Sequence, residues 1–174
     1  MTALARNWPW FLLALAVAAT THLVSIRIIP HLVMARVLDR VGPMDAVRHG
    51  RRPDENSRAV VRPSPDLLYS TCPYDLSAGP VRVTAPVPPG TYWSVSAFDA
   101  DTDNFFVEND RQAADRVDFV IARHAAAARA HGLPVVVSPT NRGLILFRTL
   151  IDDEKRLGEI DRVRRQAACG RLKR

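Results

Sequence analysis

Apolar and polar positions fall into three regimes along the chain. From Trp8 to Ile26 no residue is charged, and polar side chains gather only at Thr20, Thr21, His22 and Ser25. A bilayer core takes about 20 apolar residues in a helix, so this run predicts a transmembrane helix, with Trp8 and Trp10 where interfacial aromatics sit. From Ile28 to Val41, apolar residues recur at Ile29, Leu32, Val33 and Val37 while Arg36 and Arg40 share a face. That spacing predicts a short amphipathic helix, with Pro30 in its first turn and Gly42-Pro43 ending it. Such a helix either lies on the bilayer with its arginines toward lipid phosphates or packs on the domain that follows. Met44 to Ser57 carries Arg48, His49, Arg51, Arg52, Asp54 and Glu55 with few apolar residues and reads as an exposed linker.

The third regime is strand and turn. Runs rich in Val, Tyr, Phe, Trp and Ser are cut by Ser-Ala-Gly-Pro, Pro-Pro-Gly and Asp-Thr-Asp-Asn, the punctuation of hairpins. Strands are expected at Ala59–Arg62, Leu67–Asp75, Val81–Val87, Tyr92–Phe98, Asn104–Glu108, Val117–Ala122, Val135–Ser138 and Leu144–Ile151. In Val81-Arg82-Val83-Thr84-Ala85 the alternation is that of a half-buried strand. Arg123–His131 is alanine-rich and could wind into a turn or two of helix. A C-terminal helix follows, acidic at its start (Asp152, Asp153, Glu154) and basic at its end (Arg162, Arg164, Arg165), with Leu157, Ile160, Val163 and Ala167 as its inward stripe. The expected fold is mainly β: an antiparallel sandwich or barrel-like meander of seven or eight strands. Its parts are an anchor or signal segment at 1–27, an amphipathic helix and linker at 28–57, and a β domain with a C-terminal helix at 58–174.

The N-terminal run admits a second reading as a cleaved secretory signal, with Arg6 as its basic region, Trp10–Val17 as its apolar region and Ala16-Val17-Ala18 as the small-residue site. The anchor is preferred because apolar residues continue past that site through Leu23, Val24, Ile26, Ile28 and Ile29. Either way the chain is brought to a membrane. Arginines follow the span (Arg27, Arg36, Arg40) more than they precede it, and that count favours a cytoplasmic C-terminus. The net charge is +6, and among 24 basic residues only Lys155 and Lys173 are lysines. The arginines are scattered and do not interleave with aromatics, which argues against a nucleic-acid surface.

Four blocks occur in succession: Ser64-Pro65-Asp66-Leu67-Leu68-Tyr69-Ser70, Tyr74-Asp75-Leu76-Ser77-Ala78-Gly79-Pro80, Gly90-Thr91-Tyr92-Trp93-Ser94 and Thr102-Asp103-Asn104-Phe105. In these, and more loosely in Ser138-Pro139 and Arg142-Gly143-Leu144, the chain resembles domain-of-unknown-function family 1254. It is similar to short, membrane-anchored members, whereas longer relatives are exported and join this domain to a second one of family 1214. The resemblance implies a β-rich domain exposed outside the cytoplasm, so the soluble part is expected in the periplasm on a single-pass inner-membrane anchor. It brings no catalytic residues. Because the chain ends at Arg174 without a second domain, a separately encoded, membrane-anchored family 1214 protein is the expected partner, besides the bilayer itself. An oxidising compartment would let Cys72 and Cys169, the only cysteines, pair; the other possibility is two separate thiols.

Candidate chemistry is sparse. Asp99, Asp101 and Asp103, with Asp110 at the twelfth place, follow the ligand order of a calcium loop, but Asn104 stands where glycine is needed and the flanks are strands. A hairpin tip explains the same residues without metal. Asp66, Asp75 and Asp103 could meet in a cleft as acid and base. There is no Gly-x-Ser-x-Gly, His-x-x-x-His or Cys-x-x-Cys, so no cofactor and no metal is expected. The blocks nominate Asp66, Tyr69, Asp75, Trp93, Asp103 and Asn104 as the candidate functional surface. The leading expectation is a non-catalytic envelope domain that binds a protein or a ligand. The alternative is an envelope hydrolase or carbohydrate-active enzyme using those carboxylates.

Overall fold

The computed structural model describes residues 3–58, 62–127 and 132–172, and side chains from residue 7 onward. Its first element, α1 (Ala3–Val41), is one unbroken helix. The two helices expected from sequence are therefore joined, and Pro30 lies inside the helix, where its missing N–H removes the usual bond to the Ile26 carbonyl. Asn7–Val41 is long and apolar enough to cross a membrane: its most apolar stretch of 18 residues has a mean hydropathy of 1.9, and none of that stretch is buried in the protein. The last turns behave differently. Met34 and Leu38 are buried and pack with Val37, Val41 and Met44 against Leu144 and Phe98, whereas Ile29, Leu32 and Val33 stay exposed. Of the two readings offered for residues 28–41, the structure shows packing on the domain, through a face displaced by about one residue from the expected stripe.

Nine strands among the described residues form two sheets. They are β1 (Arg48–His49), β2 (Leu67–Asp75), β3 (Val81–Pro86), β4 (Trp93–Phe98), β5 (Asn104–Asn109), β6 (Arg116–Ala122), β7 (Val135–Val137), β8 (Arg142–Leu150) and β9 (Ala168–Arg171). One sheet runs β1-β2-β8-β4-β5 and is antiparallel throughout; the other runs β7-β6-β3-β9, with β7 parallel to β6. The fold is thus the mainly β sandwich expected, with two strands that the pattern did not announce, β1 and β9. The expected strand at 59–62 lies almost wholly outside the described residues, as do 128–131, the last four residues of the helix expected at 123–131. Of the latter a 3-10 turn at Ala125–Ala127 is seen.

Alternation decides what each sheet buries. Cys72 and Tyr74 from β2, Val81, Val83 and Ala85 from β3, Trp93, Val95 and Ala97 from β4, Phe119 and Ile121 from β6, and Ile145 and Phe147 from β8 fill the space between the sheets. Trp93 packs on Phe147 with ring centroids 6.3 Å apart. Burying side chains of this size supplies about 1.5–3 kcal/mol each before entropy is counted.

The chain closes with α2 (Leu157–Arg164), shorter than expected, followed by β9 rather than by more helix. The β9 strand pairs with β3, and a disulfide joins its Cys169 to Cys72 of β2, linking the two sheets with Cα atoms 6.5 Å apart. The linker is only partly exposed. Asp45 N–H donates to the Pro73 carbonyl (2.7 Å), while its carboxylate accepts from the Asp75 N–H (3.0 Å) and from Arg171 Nε (2.9 Å).

Candidate functional site

The strands of the sandwich run between two ends. One carries the β2–β3, β4–β5 and β7–β8 connections together with the docked part of α1; the other carries the β3–β4 and β5–β6 loops.

Most of the block residues meet at the α1 end. Tyr74, fully buried at the end of β2, places its hydroxyl 2.9 Å from Ser138 Oγ and donates to the Phe98 carbonyl at 3.2 Å. Ser138 Oγ donates to the Thr140 carbonyl (2.7 Å), and Arg123 donates to the Ser138 carbonyl. Burial pushes the Tyr74 hydroxyl up to about 12, the cost of placing a phenolate away from water. Asp75 caps the 3-10 turn Leu76–Ala78 by accepting from the Ser77 N–H (2.9 Å), and it also accepts from Arg142 Nε (2.8 Å). These bonds, those from Ser77 first, hold its carboxyl down at about 2. The polar atoms of Tyr74 and Ser138 are taken up by one another and by the Phe98 and Thr140 carbonyls.

The Asp99–Asp103 loop sits on the rim of this end. Asp99 is 4% exposed and turns its carboxylate inward, accepting from the N–H groups of Asp101 (2.9 Å) and Asp103 (3.0 Å). Thr102, with φ at 70°, makes the tight corner. Asp110 stands at the opposite end of β5, where it accepts from the Trp93 N–H (3.3 Å). The six residues of β5 separate it from the loop by roughly 20 Å, so the calcium loop does not form. Among the described residues no three His, Cys, Asp or Glu side chains converge as metal ligands.

The acid-base cleft is also corrected. Asp66 immediately precedes β2 and Asp75 is its last residue, so the strand holds them about 30 Å apart. Asp103 is exposed at the α1 end and Asp66 is exposed at the other. Within the nominated surface, Trp93 is 2% exposed and belongs to the core. Tyr69 is half-buried and its hydroxyl accepts from the Ser64 N–H (3.0 Å), while Asn104 is exposed where β5 begins. The six residues therefore do not share one surface.

At the end away from α1 lies an open cleft of about 620 Å³ between the β3–β4 and β5–β6 loops, lined among others by Pro88, Pro89, Tyr92, Asn109, Arg111 and Asp115. Its floor is fixed by Thr91, whose hydroxyl donates to the Leu150 carbonyl (2.9 Å), and by Arg156, which donates to the Pro89 carbonyl (2.8 Å). The trough is half apolar and presents exposed Tyr92 with both charge signs, Arg111 beside Asp110 and Asp115.

Two features escaped the sequence. Arg164, expected at the basic end of the last helix for the sake of its dipole, is buried at 4% exposure. It pairs with Asp161 and donates to the Tyr69 carbonyl (2.8 Å), Ser70 Oγ (3.2 Å) and the Gly50 carbonyl (3.2 Å), stitching linker, β2 and α2 together. Its spacing of four from Ile160 was the available signal. Arg148, in the middle strand of the larger sheet, donates to Ser96 Oγ (3.0 Å), while its Nε and the neighbouring Ser94 Oγ are buried without a protein partner.

Residues 44–171 match the family described as "Protein of unknown function (DUF1254)". No curated protein matches the chain. A crystal structure of the VPA0106 protein from Vibrio parahaemolyticus is similar with a TM-score of 0.56 and 15% identity, over 82% of this chain and 37% of that one. A putative uncharacterized protein from Burkholderia cenocepacia gives a TM-score of 0.47 at 14% identity, over 62% of this chain and 32% of its own. The first likeness shows a shared fold, and this chain spans well under half the length of either protein. With the matched segment running from the end of α1 to β9, the chain belongs to the DUF1254 family.

Proposed function

We propose that this protein is a membrane-anchored, non-catalytic interaction domain of the bacterial envelope, held by α1 in the inner membrane with its sandwich in the periplasm. The observation that carries the reading is the division of labour along α1. Exposed Trp8, Phe11, Leu15, Leu23, Ile26 and Ile29 have no protein to bury them, while Met34 and Leu38 of the same helix are part of the domain's packing. The cleft at the far end is then the surface offered to a partner, and we take that partner to be a separately encoded, membrane-bound family 1214 protein. Two chains tethered to one membrane regain part of the effective concentration that a covalent linker gives.

The test has two arms. A reporter active only outside the cytoplasm, fused after Arg174, should be active; a silent but stably expressed fusion contradicts the sidedness. Affinity capture from gently solubilised membranes, followed by mass spectrometry, should recover a family 1214 protein. Recovery of this chain alone, at monomer mass, contradicts the partnership.

A further inference from the structure

We infer that the α1 end of the sandwich, with the Asp99–Asp103 loop on its rim, rests in the lipid headgroup layer, so that the domain is seated on the bilayer rather than tethered above it. The inference rests on the proposed reading of α1 as a spanning helix and adds where the domain sits. Counting about 20 residues from Trp8 brings the far edge of the hydrocarbon to about Arg27, which is also the first charge after the apolar run. At 1.5 Å per residue, His31 stands about 6 Å and Met34 about 10 Å beyond that edge. The headgroup layer adds roughly 5–8 Å on each side of the hydrocarbon.

His31 Nδ1 is bonded to Asp101 Oδ1, so the rim loop is fastened to the helix at headgroup depth. Met34, one turn further on, is 4% exposed against the domain. Exposed Val33 and buried Met34 are consecutive residues of one helix, so no flexible segment separates the apolar stretch from the docked one. Lipid headgroups are therefore the occupant that the geometry selects. The rim carries Asp101 and exposed Asp103, and exposed Arg142 lines one hollow with His31 and Ala100, a mixed set that can meet both the phosphate and the cationic groups of headgroups. The cleft at the other end lies about 30 Å away along β2, the opposite end of the sandwich from the seated rim.

Depth-dependent quenching on the intact chain tests this. Single cysteines are introduced by Val17→Cys in α1, Asp103→Cys on the rim and Ala114→Cys at the far cleft, with Asn104→Cys as a second rim position. Each is labelled with bimane without reductant, with the unsubstituted chain as blank because Cys72 and Cys169 are joined. The vesicles are phosphatidylcholine and phosphatidylglycerol carrying a nitroxide either at the headgroup or in mid-chain. The mid-chain nitroxide should quench the Val17→Cys label, and the headgroup nitroxide should quench both rim labels several times more strongly than the Ala114→Cys label. If Val17→Cys is quenched but rim and cleft labels respond alike, the seating is wrong while the anchor stands. If Val17→Cys is not quenched from mid-chain, the anchor itself fails and the seating with it.

Discussion

The Tyr74 hydroxyl fills the space that a β-carbon on Gly143 would need, lying 2.3 Å from that position, with the Phe98 carbonyl oxygen 2.1 Å away on the β4 side. The glycine is there for close approach: the buried tyrosine crosses β8 to reach the end of β4. The Phe98 oxygen is backbone held in the β4–β8 pairing and cannot swing aside. Gly143→Ala should therefore destabilise the detergent-solubilised chain by about 1–3 kcal/mol or more in urea unfolding. Gly158→Ala is the control, since nothing lies within 4 Å of its added methyl in α2, and removing a helical glycine should stabilise by about 0.5–1 kcal/mol. Equal effects at the two sites would refute this account of Gly143.

Tyr74 also predicts an alkaline limit. Its folded value of about 12 lies above its ordinary 10, so the stability it confers is complete below pH 10 and is lost as pH rises from there through about 12. Tyr74→Phe should cost about 1 kcal/mol at neutral pH for the lost hydrogen bonds and should remove that part of the alkaline fall. Urea midpoints across an alkaline pH series, read against the variant, measure both.

The acid side belongs to Asp75. Its folded carboxyl, lowered to about 2, contributes stability that is present above its ordinary value near 4 and disappears as pH falls through about 2. Asp75→Asn should cost about 1–2 kcal/mol at pH 7, since the cap on Ser77 and the pair with Arg142 weaken together. The gap between the two proteins should close on acidification, and a gap independent of pH would assign the loss to packing instead.

The bond between Cys72 and Cys169 closes a separation of 97 residues and ties the last strand to the other sheet. On the chain-entropy model its loss costs up to about 4–5 kcal/mol. Denatured, unreduced protein should show no free thiol, and Cys72→Ser with Cys169→Ser should lower the urea midpoint markedly. Two titratable thiols in the unreduced chain would contradict the pairing.

Strands whose side chains alternate between core and outside were legible without coordinates: β2 was read at its full extent, and β3, β4, β5 and β8 within two residues at each end. What failed was whatever depends on distant partners. Ala168–Arg171 is a poor strand by composition and extends only because the β3 edge is there to pair with it. In α1, apolar residues surround the helix on nearly every side, so periodicity could not single out Met34 and Leu38 as the docking face. Trp93 looked like a surface aromatic until two sheets closed over it. Asp99, Asp101 and Asp103 imitate a calcium loop in spacing alone, because β5 carries Asp110 away and Asp99 Oδ1 accepts two N–H groups of its own turn. The block residues were not legible in role: the six nominated do not share one surface, and Tyr74, Asp75 and Gly143 hold one end of the sandwich together.

The central claim is that one helix both spans the membrane and is built into the domain, and the mass of the protein recovered from membranes tests it most directly. A cut after Ala18 would leave Leu23, Val24, Ile26, Ile28, Ile29 and Leu32 on a helix exposed to water. Membranes from cells producing the chain are to be washed with alkaline carbonate, and the pelleted and released fractions weighed by intact-mass spectrometry. The account predicts the uncut chain, 19.3 kDa and still carrying Trp8 and Trp10, in the pellet. A released, shorter chain beginning after Ala18 would contradict it.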